Sequence, residues 1–495
     1  MGARKFRGIS LCLLTALAIC VPVRQAGAAA CIPSGTEAAI NAALSGPGAK
    51  AVLCSGAVFS LSAPVRFTAP GQEITTEANA ASPATLRIVS PALAGAVDGN
   101  YQDAVTLRGV VVDGNRPALG RLDGNVPALV SMGGALDQIV RDNTIIEPRT
   151  WSALHFYEGV VTDSVPHCQR GQIIGNRIGP AGLSPNWADG ISLACGNSLV
   201  RDNTITDATD GAIVVFGAPG STVENNTIVA EKRELLGGIN LVDHKPMSGN
   251  YTGTVVRGNV IDAKSAFIKV GIAMGLRVWT CEDPGTVHGA TVTGNRLRGL
   301  HMGYGYAING VRDWTVTGNA DESRHVGVPT TECGSGQADP GGYQVGSADA
   351  SVLQPEFTSG KLNFAIGVTE PGILKVGGAP AGCTWLNPDE AVFPGRSQTS
   401  CDGRFRLTLQ QDGNLVLAYT STGQVLWASG TTGKRSAVAL MQRDGNFVIY
   451  DSRGRAVWAS GSGGRSGARL AVQDDGNAVI YSGSTVLWTS GTGGH

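Results

Sequence analysis

A set of polar side chains at alternate positions recurs three times near the C-terminal end of this 495-residue chain. Amide and carboxylate groups exchange hydrogen bonds with vicinal hydroxyls, and an apolar side chain packs on ring C–H groups. On a strand, alternate side chains share one face. The pattern therefore predicts three sites for a neutral hexose: Gln410, Asp412, Asn414 and Val416 (site one); Gln442, Asp444, Asn446, Val448 and Tyr450 (site two); and Gln473, Asp475, Asn477, Val479 and Tyr481 (site three).

Site one differs from the other two at its last position. Ala418 stands where a Tyr is expected, and Tyr419 follows one residue late. A single alternation of polar residues also describes an ordinary solvated strand face. Three copies with the same residue types argue against that interpretation. The altered end predicts that site one is weak or silent.

A tryptophan follows each copy at a nearly fixed interval. Trp427, Trp458 and Trp488 are 31 and 30 residues apart. One aromatic residue in each unit of about thirty is typical of a radially repeated β-fold whose rings meet on the axis. We therefore interpret these tryptophans as core residues and not as ligand contacts. With the motif Gln-x-Asp-x-Asn-x-Val-x-Tyr, residues 384–495 resemble the bulb-type, mannose-specific lectins of the β-prism II fold.

This resemblance implies roles for the motif residues. In that family Gln, Asp and Asn bind the hydroxyls that distinguish mannose, Tyr binds the 4-hydroxyl, and Val packs on the sugar ring. Sites two and three are therefore expected to bind mannose-containing glycans or polysaccharides. Related lectins often pair through their terminal strand, which makes a homodimer through this region a further expectation.

A second repeat, apolar-x-x-Asn-x-apolar, occupies the larger N-terminal part of the chain. Its copies are separated by unequal intervals, which is typical of a parallel β-helix whose inward Asn residues form a hydrogen-bonded ladder. Leucine-rich repeats are the rival architecture, but their dense leucine pattern is missing. The ladder is predicted at Asn143, Asn176, Asn203, Asn226, Asn259 and Asn295, with a broken seventh copy ending at Asn319.

Residues 29–375 accordingly resemble the right-handed β-helix proteins of the pectin-lyase-like superfamily. The stretch 36–44 is expected to plug one end of the coil, and 353–360 with Leu362 to cover the other. Residues 376–383 are expected to form a linker. The predicted fold class is all-β, a right-handed parallel β-helix followed by a β-prism II domain.

Two Asp-Gly dipeptides in this part suggest hydrolytic chemistry. Asp189 and Asp210 are 21 residues apart and are expected at the start of adjacent rungs, about 4.8 Å apart. Two close carboxyl groups can serve as acid and base around a glycosidic bond. Asp-Gly is also a common turn dipeptide, which is the structural alternative for both positions. Alignment of the strands predicts a stack of Leu154, Ile191, Ala212, Ile239 and Ile268, and an outward row of His155, Ser192, Ile213, Asn240 and Lys269.

The segment around these dipeptides resembles a degraded polygalacturonase pattern. The resemblance implies that Asp189 and Asp210 fill two of three catalytic Asp positions, with Thr209 in place of the third. Lys269 is kept, but the Arg before it is not. A polysaccharide-degrading glycoside hydrolase with catalytic Asp189, Asp210, His155 and Lys269 is the first hypothesis for this domain. Further polar or ring-stacking candidates are Asp113, Glu147, Arg149, Trp151, Glu158, Trp187, Asp243, His244 and Tyr304.

Two alternatives remain open. A polysaccharide lyase would take Lys269 or Arg149 as the base, but it usually needs Ca²⁺ held by clustered carboxylates, and the sequence shows no such cluster. The β-helix could also be a non-catalytic stalk, as in an adhesin. No metal-ligand spacing is present, and no cofactor is expected.

Composition and the N-terminus suggest export. Net charge is −1 and 16% of residues are charged, which argues against nucleic-acid or membrane-surface partners. Residues 1–28 are predicted to be a cleaved signal peptide, and its apolar stretch is too short to span a membrane. The protein is therefore expected to be secreted and to form disulfides. Eight cysteines remain, and their order suggests the pairs Cys31–Cys54, Cys168–Cys195, Cys281–Cys333 and Cys383–Cys401, among about 105 possible pairings.

Overall fold

The computed structural model describes residues 31–183, 186–242, 247–280, 285–329, 338–359, 368–369, 385–388, 390–451 and 455–495. The predicted signal peptide (1–28) and linker (376–383) lie outside these residues. Within them, every helix is too short or too polar to span a lipid bilayer.

The N-terminal region is a parallel β-helix of three long sheets, in which each rung contributes a strand to successive sheets. In the described residues, sheet A contains Lys50–Leu53, Glu73–Thr76, Thr106–Arg108, Ile139–Arg141, Gln172–Ile174, Leu199–Arg201, Thr222–Glu224, Val255–Arg257, Thr291–Thr293, Thr315–Thr317 and Val352–Leu353. Sheet B contains Val58–Leu61, Ala84–Ile88, Val110–Asp113, Thr144–Ile146, Arg177–Ile178, Thr204–Thr206, Thr227–Val229, Val260–Ala263, Arg296–Gly299 and Ala320–Asp321.

Sheet C forms the face that carries the predicted carboxyl pair. Its described strands are Val65–Arg66, Val97–Asp98, Val130–Gly133, Ser152–Tyr157, Asp189–Leu193, Gly211–Val215, Leu235–Leu241, Ile268–Met274, Met302–Ile308, Tyr343–Val345 and Thr358–Ser359. Short accessory pairings involve Val161–Thr162 with Val165–Pro166; Val287–His288, Val311–Arg312 and Ala348–Asp349; and Val328–Pro329 with Val368–Thr369. A helical turn, Arg116–Leu119, and a 3₁₀ turn, Leu276–Val278, lie in the connections.

The predicted asparagine ladder is confirmed. Each ladder side chain is nearly inaccessible to solvent, and its Nδ2 donates to Oδ1 of the Asn one rung further on at 2.9–3.0 Å, from Asn143 as far as Asn319. Asn319 then donates to Gln354 Oε1 at 3.2 Å, so a Gln ends the ladder. Each Nδ2 also donates to a carbonyl of an earlier rung, as Asn226 does to Val200. The ladder therefore satisfies backbone groups at a buried corner of every rung.

A helix lies at one end of the coil and a last rung of strands at the other. Helix Glu37–Ala43, capped by Thr36, buries Ile40 against the first rung as predicted. At the other end Val352–Leu353 and Thr358–Ser359 extend sheets A and C. These residues form the last described rung, and Leu353 and Phe357 pack against the hydrophobic core, as expected of a segment that covers this end. Gly360 and Leu362 lie outside the described residues.

The C-terminal region consists of three antiparallel sheets, each built around one repeat. Their described strands are Ala391–Val392, Ser436–Met441, Phe447–Asp451 and Ala456–Ala459; Ser397–Thr399, Phe405–Leu409, Leu415–Tyr419 and Val425–Ala428; and Arg469–Val472, Ala478–Ser482 and Thr485–Thr489. Trp427, Trp458 and Trp488 meet edge to face, with ring centroids 5.5–5.8 Å apart. The prediction that they form a shared core is confirmed.

Two of the predicted disulfides are present. Cys31–Cys54 ties the start of the coil to the first strand of sheet A, and Cys168–Cys195 joins two neighbouring rungs. Cys281, Cys333 and Cys383 lie outside the described residues, so the other two pairs stay predictions.

Candidate functional site

Site two gathers its polar groups at the junction of a turn and a strand. Gln442, Asp444 and Asn446 precede strand Phe447–Asp451, which carries Val448 and Tyr450. The turn is closed by Gly445 N, which donates to Gln442 O at 3.1 Å. Strand alternation alone therefore does not account for the cluster, because three of the five motif residues precede the strand.

Hydrogen bonds hold the site-two side chains in fixed positions. Asn446 N donates to Asp444 Oδ1 at 2.9 Å, while Asn446 Oδ1 accepts from Ser460 Oγ at 3.0 Å. Gln442 Nε2 donates to the Tyr450 hydroxyl at 2.6 Å. Burial raises the pKa of Tyr450, so this hydroxyl remains protonated at neutral pH. These contacts leave Asn446 Nδ2, Asp444 Oδ2 and Gln442 Oε1 for a ligand.

Site three repeats this arrangement. Asn477 N donates to Asp475 Oδ1 at 3.0 Å, and Asn477 Oδ1 accepts from Ser490 Oγ at 2.9 Å. Gln473 Nε2 donates to the Tyr481 hydroxyl at 3.0 Å. In both sites the Val of the motif, Val448 or Val479, is buried.

Site one keeps half of the arrangement. Asn414 N donates to Asp412 Oδ1 at 2.9 Å, and Asn414 Oδ1 accepts from Ser429 Oγ at 3.1 Å. Ala418 supplies no phenol, and Gln410 is exposed. Tyr419 cannot replace the missing group, because its ring packs on Phe405 with centroids 5.0 Å apart. Site one therefore has the Asp–Asn part of the site without the Gln–Tyr part.

Sequence reasoning missed the hydroxyl side chains that orient the three Asn residues. These are Ser429, Ser460 and Ser490, each two residues after a core tryptophan. The repeated Trp-x-Ser-Gly was a visible signal for them. By fixing the amide oxygen, each Ser turns the Asn N–H donors outward.

The structure brings Asp189 and Asp210 close together on sheet C. Burial, followed by the negative charge of Asp210, raises the pKa of Asp189 well above its ordinary value, and burial also raises the pKa of Asp210. Asp189 Oδ1 accepts from Gly211 N at 3.0 Å, and Asp189 Oδ2 accepts from Ser192 Oγ at 2.8 Å. Ser192 Oγ lies 2.8 Å from Ser152 Oγ, which extends the network to the preceding rung.

The register of sheet C differs from the predicted alignment. Ile191 lies beside Ile213, and Ile239 lies beside Ile272. The predicted stacking of Ala212 and Ile268 is therefore wrong. Ile191 and its register partner Ile213 are 22 residues apart, whereas the predicted alignment followed the 21-residue interval between the two Asp-Gly dipeptides. The row through His155 and Ser192 continues with Val214, Asn240 and Ala273 in place of Ile213 and Lys269.

The remaining catalytic candidates have varied surroundings. His155 is the register partner of Ser192 in the neighbouring rung. The Ser192 hydroxyl, in turn, donates a hydrogen bond to Asp189. Lys269 lies outside the predicted row, with its ammonium 3.4 Å from a carboxylate oxygen of Glu234. Arg149 is a structural residue, because its buried guanidinium donates to five backbone carbonyls. It is therefore excluded as a lyase base.

The other polar and stacking candidates also lie in different environments. Tyr304 is fully buried and donates to Ala338 O, so the prediction that it stacks on sugar from an exposed turn is wrong. Trp187 is exposed, and Trp151 is half-buried with Nε1 donating to Val126 O. Asp113 and Glu147 form ion pairs with Arg87 and Arg233, and Glu158 is buried, whereas Asp243 and His244 lie outside the described residues. Those described residues contain no group of three metal-ligating side chains.

Comparison with known proteins separates the same two regions. The family model for a right-handed β-helix region matches residues 131–321. None of the curated proteins matches the chain.

Among solved structures, the chain is similar to the Japanese Marasmius oreades lectin, with 31% identity over 23% of this chain and 93% of that chain, at a TM-score of 0.21. It is also similar to a monomeric monocot mannose-binding lectin from Gastrodia elata, with 42% identity over 22% and 97% of the two chains, at a TM-score of 0.20. The mannose-specific agglutinin from snowdrop, Galanthus nivalis, solved with methyl α-D-mannoside, is 33% identical over 22% and 95%, at a TM-score of 0.19.

Proposed function

We propose that this chain, which joins a right-handed β-helix to a bulb-type lectin region, binds mannose-type glycans through sites two and three. The observation that carries the proposal is the geometry shared by these sites: a Gln–Tyr hydrogen bond and an Asp–Asn turn bond, with a buried Val in the same motif. The outward amide N–H groups donate, and the Asp and Gln oxygens accept. A pyranose with adjacent hydroxyls and an apolar ring face satisfies both requirements.

Two intact sites on one chain also favour polymeric ligands. Each site is small, and a single monosaccharide forms few hydrogen bonds. When two sites engage one polymer, the second binding event becomes intramolecular and retention rises without any new contact. Mannan is therefore the appropriate first ligand, and methyl α-D-mannoside is the competitor.

The test is retention on immobilised mannan. Asp444→Ala combined with Asp475→Ala should abolish retention, because each change removes an acceptor and the turn bond to Asn446 or Asn477. Asp412→Ala is the matched control, since it makes the same change in site one and should leave retention nearly unaltered. Unchanged retention of the double variant would refute the assignment of sites two and three.

A second proposed activity is polysaccharide hydrolysis on sheet C. Its support is the neighbouring pair of a buried Asp189 and a half-buried Asp210, in which the charge of one carboxyl raises the pKa of the other, as suits an acid and a base. The offset in register means that the two side chains are not stacked in equivalent positions. The alternative is that the pair is structural and the β-helix is a stalk. The lectin proposal does not depend on which of the two holds.

Incubation of the full chain with plant, fungal and bacterial polysaccharides separates these alternatives. A hydrolase releases reducing ends without the ultraviolet absorbance of an unsaturated uronide, whereas a lyase produces that absorbance. Asp189→Asn and Asp210→Asn should each remove the product. Asp202→Asn, an exposed change elsewhere in the coil, should not. Absence of product from every polymer would favour the stalk.

We further propose that the protein is secreted and forms a homodimer through its terminal strand. The Cys31–Cys54 and Cys168–Cys195 disulfides support an oxidising compartment. In the described part of the chain, Thr485–Thr489 is an edge strand with Val486 exposed. N-terminal sequencing of exported protein, which should begin after residue 28, tests the first proposal. Sedimentation of the parent and of Val486→Lys, which should be monomeric, tests the second.

A further inference from the structure

Four ring side chains form a continuous line on the outer surface of sheet C. The ring centroids of Tyr101 and Tyr157 are 6.1 Å apart, those of Tyr157 and His155 are 6.1 Å apart, and those of His155 and Trp151 are 4.9 Å apart. We call these four residues the aromatic row. All three contacts are edge-on, with interplanar angles of 61–83°.

The aromatic row lies outside the hydrophobic core. Leu154 and Phe156 of strand Ser152–Tyr157 are fully buried, so the alternate residues His155 and Tyr157 face outward. Tyr101, at the end of the row, is 63% exposed. Packing in the core therefore accounts for an aromatic residue at Phe156 but not for the exposed ring of Tyr101. Exposed rings of this kind commonly mark binding surfaces.

The local backbone holds the Tyr101 ring in place. Tyr101 has a φ of 62°, which is rare for an aromatic residue, and its N–H donates to Gly133 O at 2.8 Å. Its ring passes over Gly134, where a Cβ atom would stand 2.6 Å from two ring carbons. A glycine at this position thus lets Tyr101 reach across the intervening rung to Tyr157. Burial, followed by the neighbouring Tyr101 hydroxyl, raises the pKa of Tyr157.

The surroundings of the aromatic row indicate the charge of its ligand. Glu158 follows Tyr157 in the chain and contributes to the raised pKa of Tyr157. His155 lies beside Ser192, which donates to the Asp189 carboxyl. The carboxylate of Glu158 beside the row disfavours an anionic polymer. Exposed ring edges and hydroxyls suit the C–H faces and hydroxyl groups of a neutral sugar chain.

We propose that the aromatic row is a second carbohydrate-binding site, which takes a neutral polysaccharide chain along the β-helix. It is separate from sites two and three, and binding there does not require that Asp189 and Asp210 are catalytic. If the carboxyl pair does cleave polysaccharide, the row delivers the same neutral chain to it, because His155 is the register partner of Ser192 and Ser192 donates to Asp189. The row then defines the substrate class as neutral.

The test uses the full-length chain with the lectin sites disabled. Affinity electrophoresis of Asp444→Ala/Asp475→Ala, with free methyl α-D-mannoside present, should show retardation by xylan, laminarin or mixed-linkage β-glucan. Adding Tyr101→Asn should weaken this retardation about tenfold, since removal of an aromatic contact from a binding surface commonly costs about that factor. Asn tolerates positive φ, so the backbone is preserved. Tyr101→Phe, which keeps the ring, should retain binding within about twofold.

Three results would overturn the proposal. They are absence of retardation by every neutral polymer, equal retardation of the parent and Tyr101→Asn, and retardation by polygalacturonate alone. Mannan retention of the chain with intact sites two and three tests the lectin proposal separately, so failure of one proposal can be told from failure of the other. Circular dichroism and the Tm of Tyr101→Asn identify any loss of folding, and Tyr157→Leu provides an independent second removal of a ring from the row.

Discussion

Asparagine recurs at intervals of roughly thirty residues in both halves of this protein, with opposite roles. In the β-helix the side chains of Asn143 through Asn319 are buried and donate to one another. In the C-terminal region Asn414, Asn446 and Asn477 are partly exposed and are held by Ser429, Ser460 and Ser490. The same amide is a structural link in one region and a candidate ligand contact in the other.

The difference arises from how each fold superposes its repeats. A parallel coil places equivalent residues of successive rungs about 4.8 Å apart, so one Asn amide reaches the next. The C-terminal repeats are arranged around the Trp427, Trp458 and Trp488 contacts, which keeps equivalent residues on separate sheets. Each Asn must then find a partner within its own repeat, and its N–H donors remain at the surface. Residue type therefore does not determine the role, whereas topology does.

The largest expected effect is on the ladder. Asn226→Ala removes bonds to Asn203, Asn259 and Val200 O at a fully buried position and should lower the free energy of unfolding by about 3 kcal/mol. Mannan retention should be unaffected in the protein that remains folded. Asn446→Ala is the counterpart: it should cost about 1 kcal/mol while weakening retention. Urea unfolding and mannan chromatography of both variants measure the contrast, and similar losses of stability in the two would contradict it.

A smaller effect is expected at the Gln442–Tyr450 hydrogen bond, which site two has and site one lacks. Tyr450→Phe removes the acceptor of Gln442 Nε2 and should weaken binding of methyl α-D-mannoside at site two about fivefold, equivalent to roughly 1 kcal/mol. Tyr419→Phe is the control, because Tyr419 packs on Phe405 away from the motif. Titration calorimetry gives the affinities. Equal weakening by both changes would mean that this bond does not distinguish the sites.

The smallest expected effect concerns the stability of the β-helix. Because burial and Asp210 raise the pKa of Asp189, folding disfavours its ionised form. The stability associated with the protonated carboxyl is fully present below the ordinary Asp pKa of about 4 and is lost as pH rises through the raised value. Asp189→Asn should therefore raise Tm at pH 8 by about 2 °C, with a difference that shrinks toward pH 4. A variant that is less stable than the parent at pH 8 would show that the ionised carboxyl is favourable there.

Local patterns in the sequence predicted much of both folds. The Asn phrase predicted the ladder, because the flanking aliphatic residues and the amide must share the interior of a coil. The interval between tryptophans predicted their contact, and the repeated motif grouped Gln442 with Tyr450 correctly. The prediction that the motif lies wholly on a strand was wrong. The Gln, Asp and Asn of each motif precede the strand, in a turn closed by a glycine, and alternation in sequence does not distinguish a turn from a strand end.

The sequence by itself therefore determined the repeats, the buried amides and the three polar clusters, since each depends on neighbours within a few residues or on a constant interval. Only the tertiary structure decided the register that offsets Asp210 from Asp189, the burial of Arg149 among five carbonyls, and the meeting of Tyr101 with Tyr157. Turns of unequal length separate these residues. A change of one residue in such a turn alters which side chains become neighbours, and local composition carries no record of that length constraint.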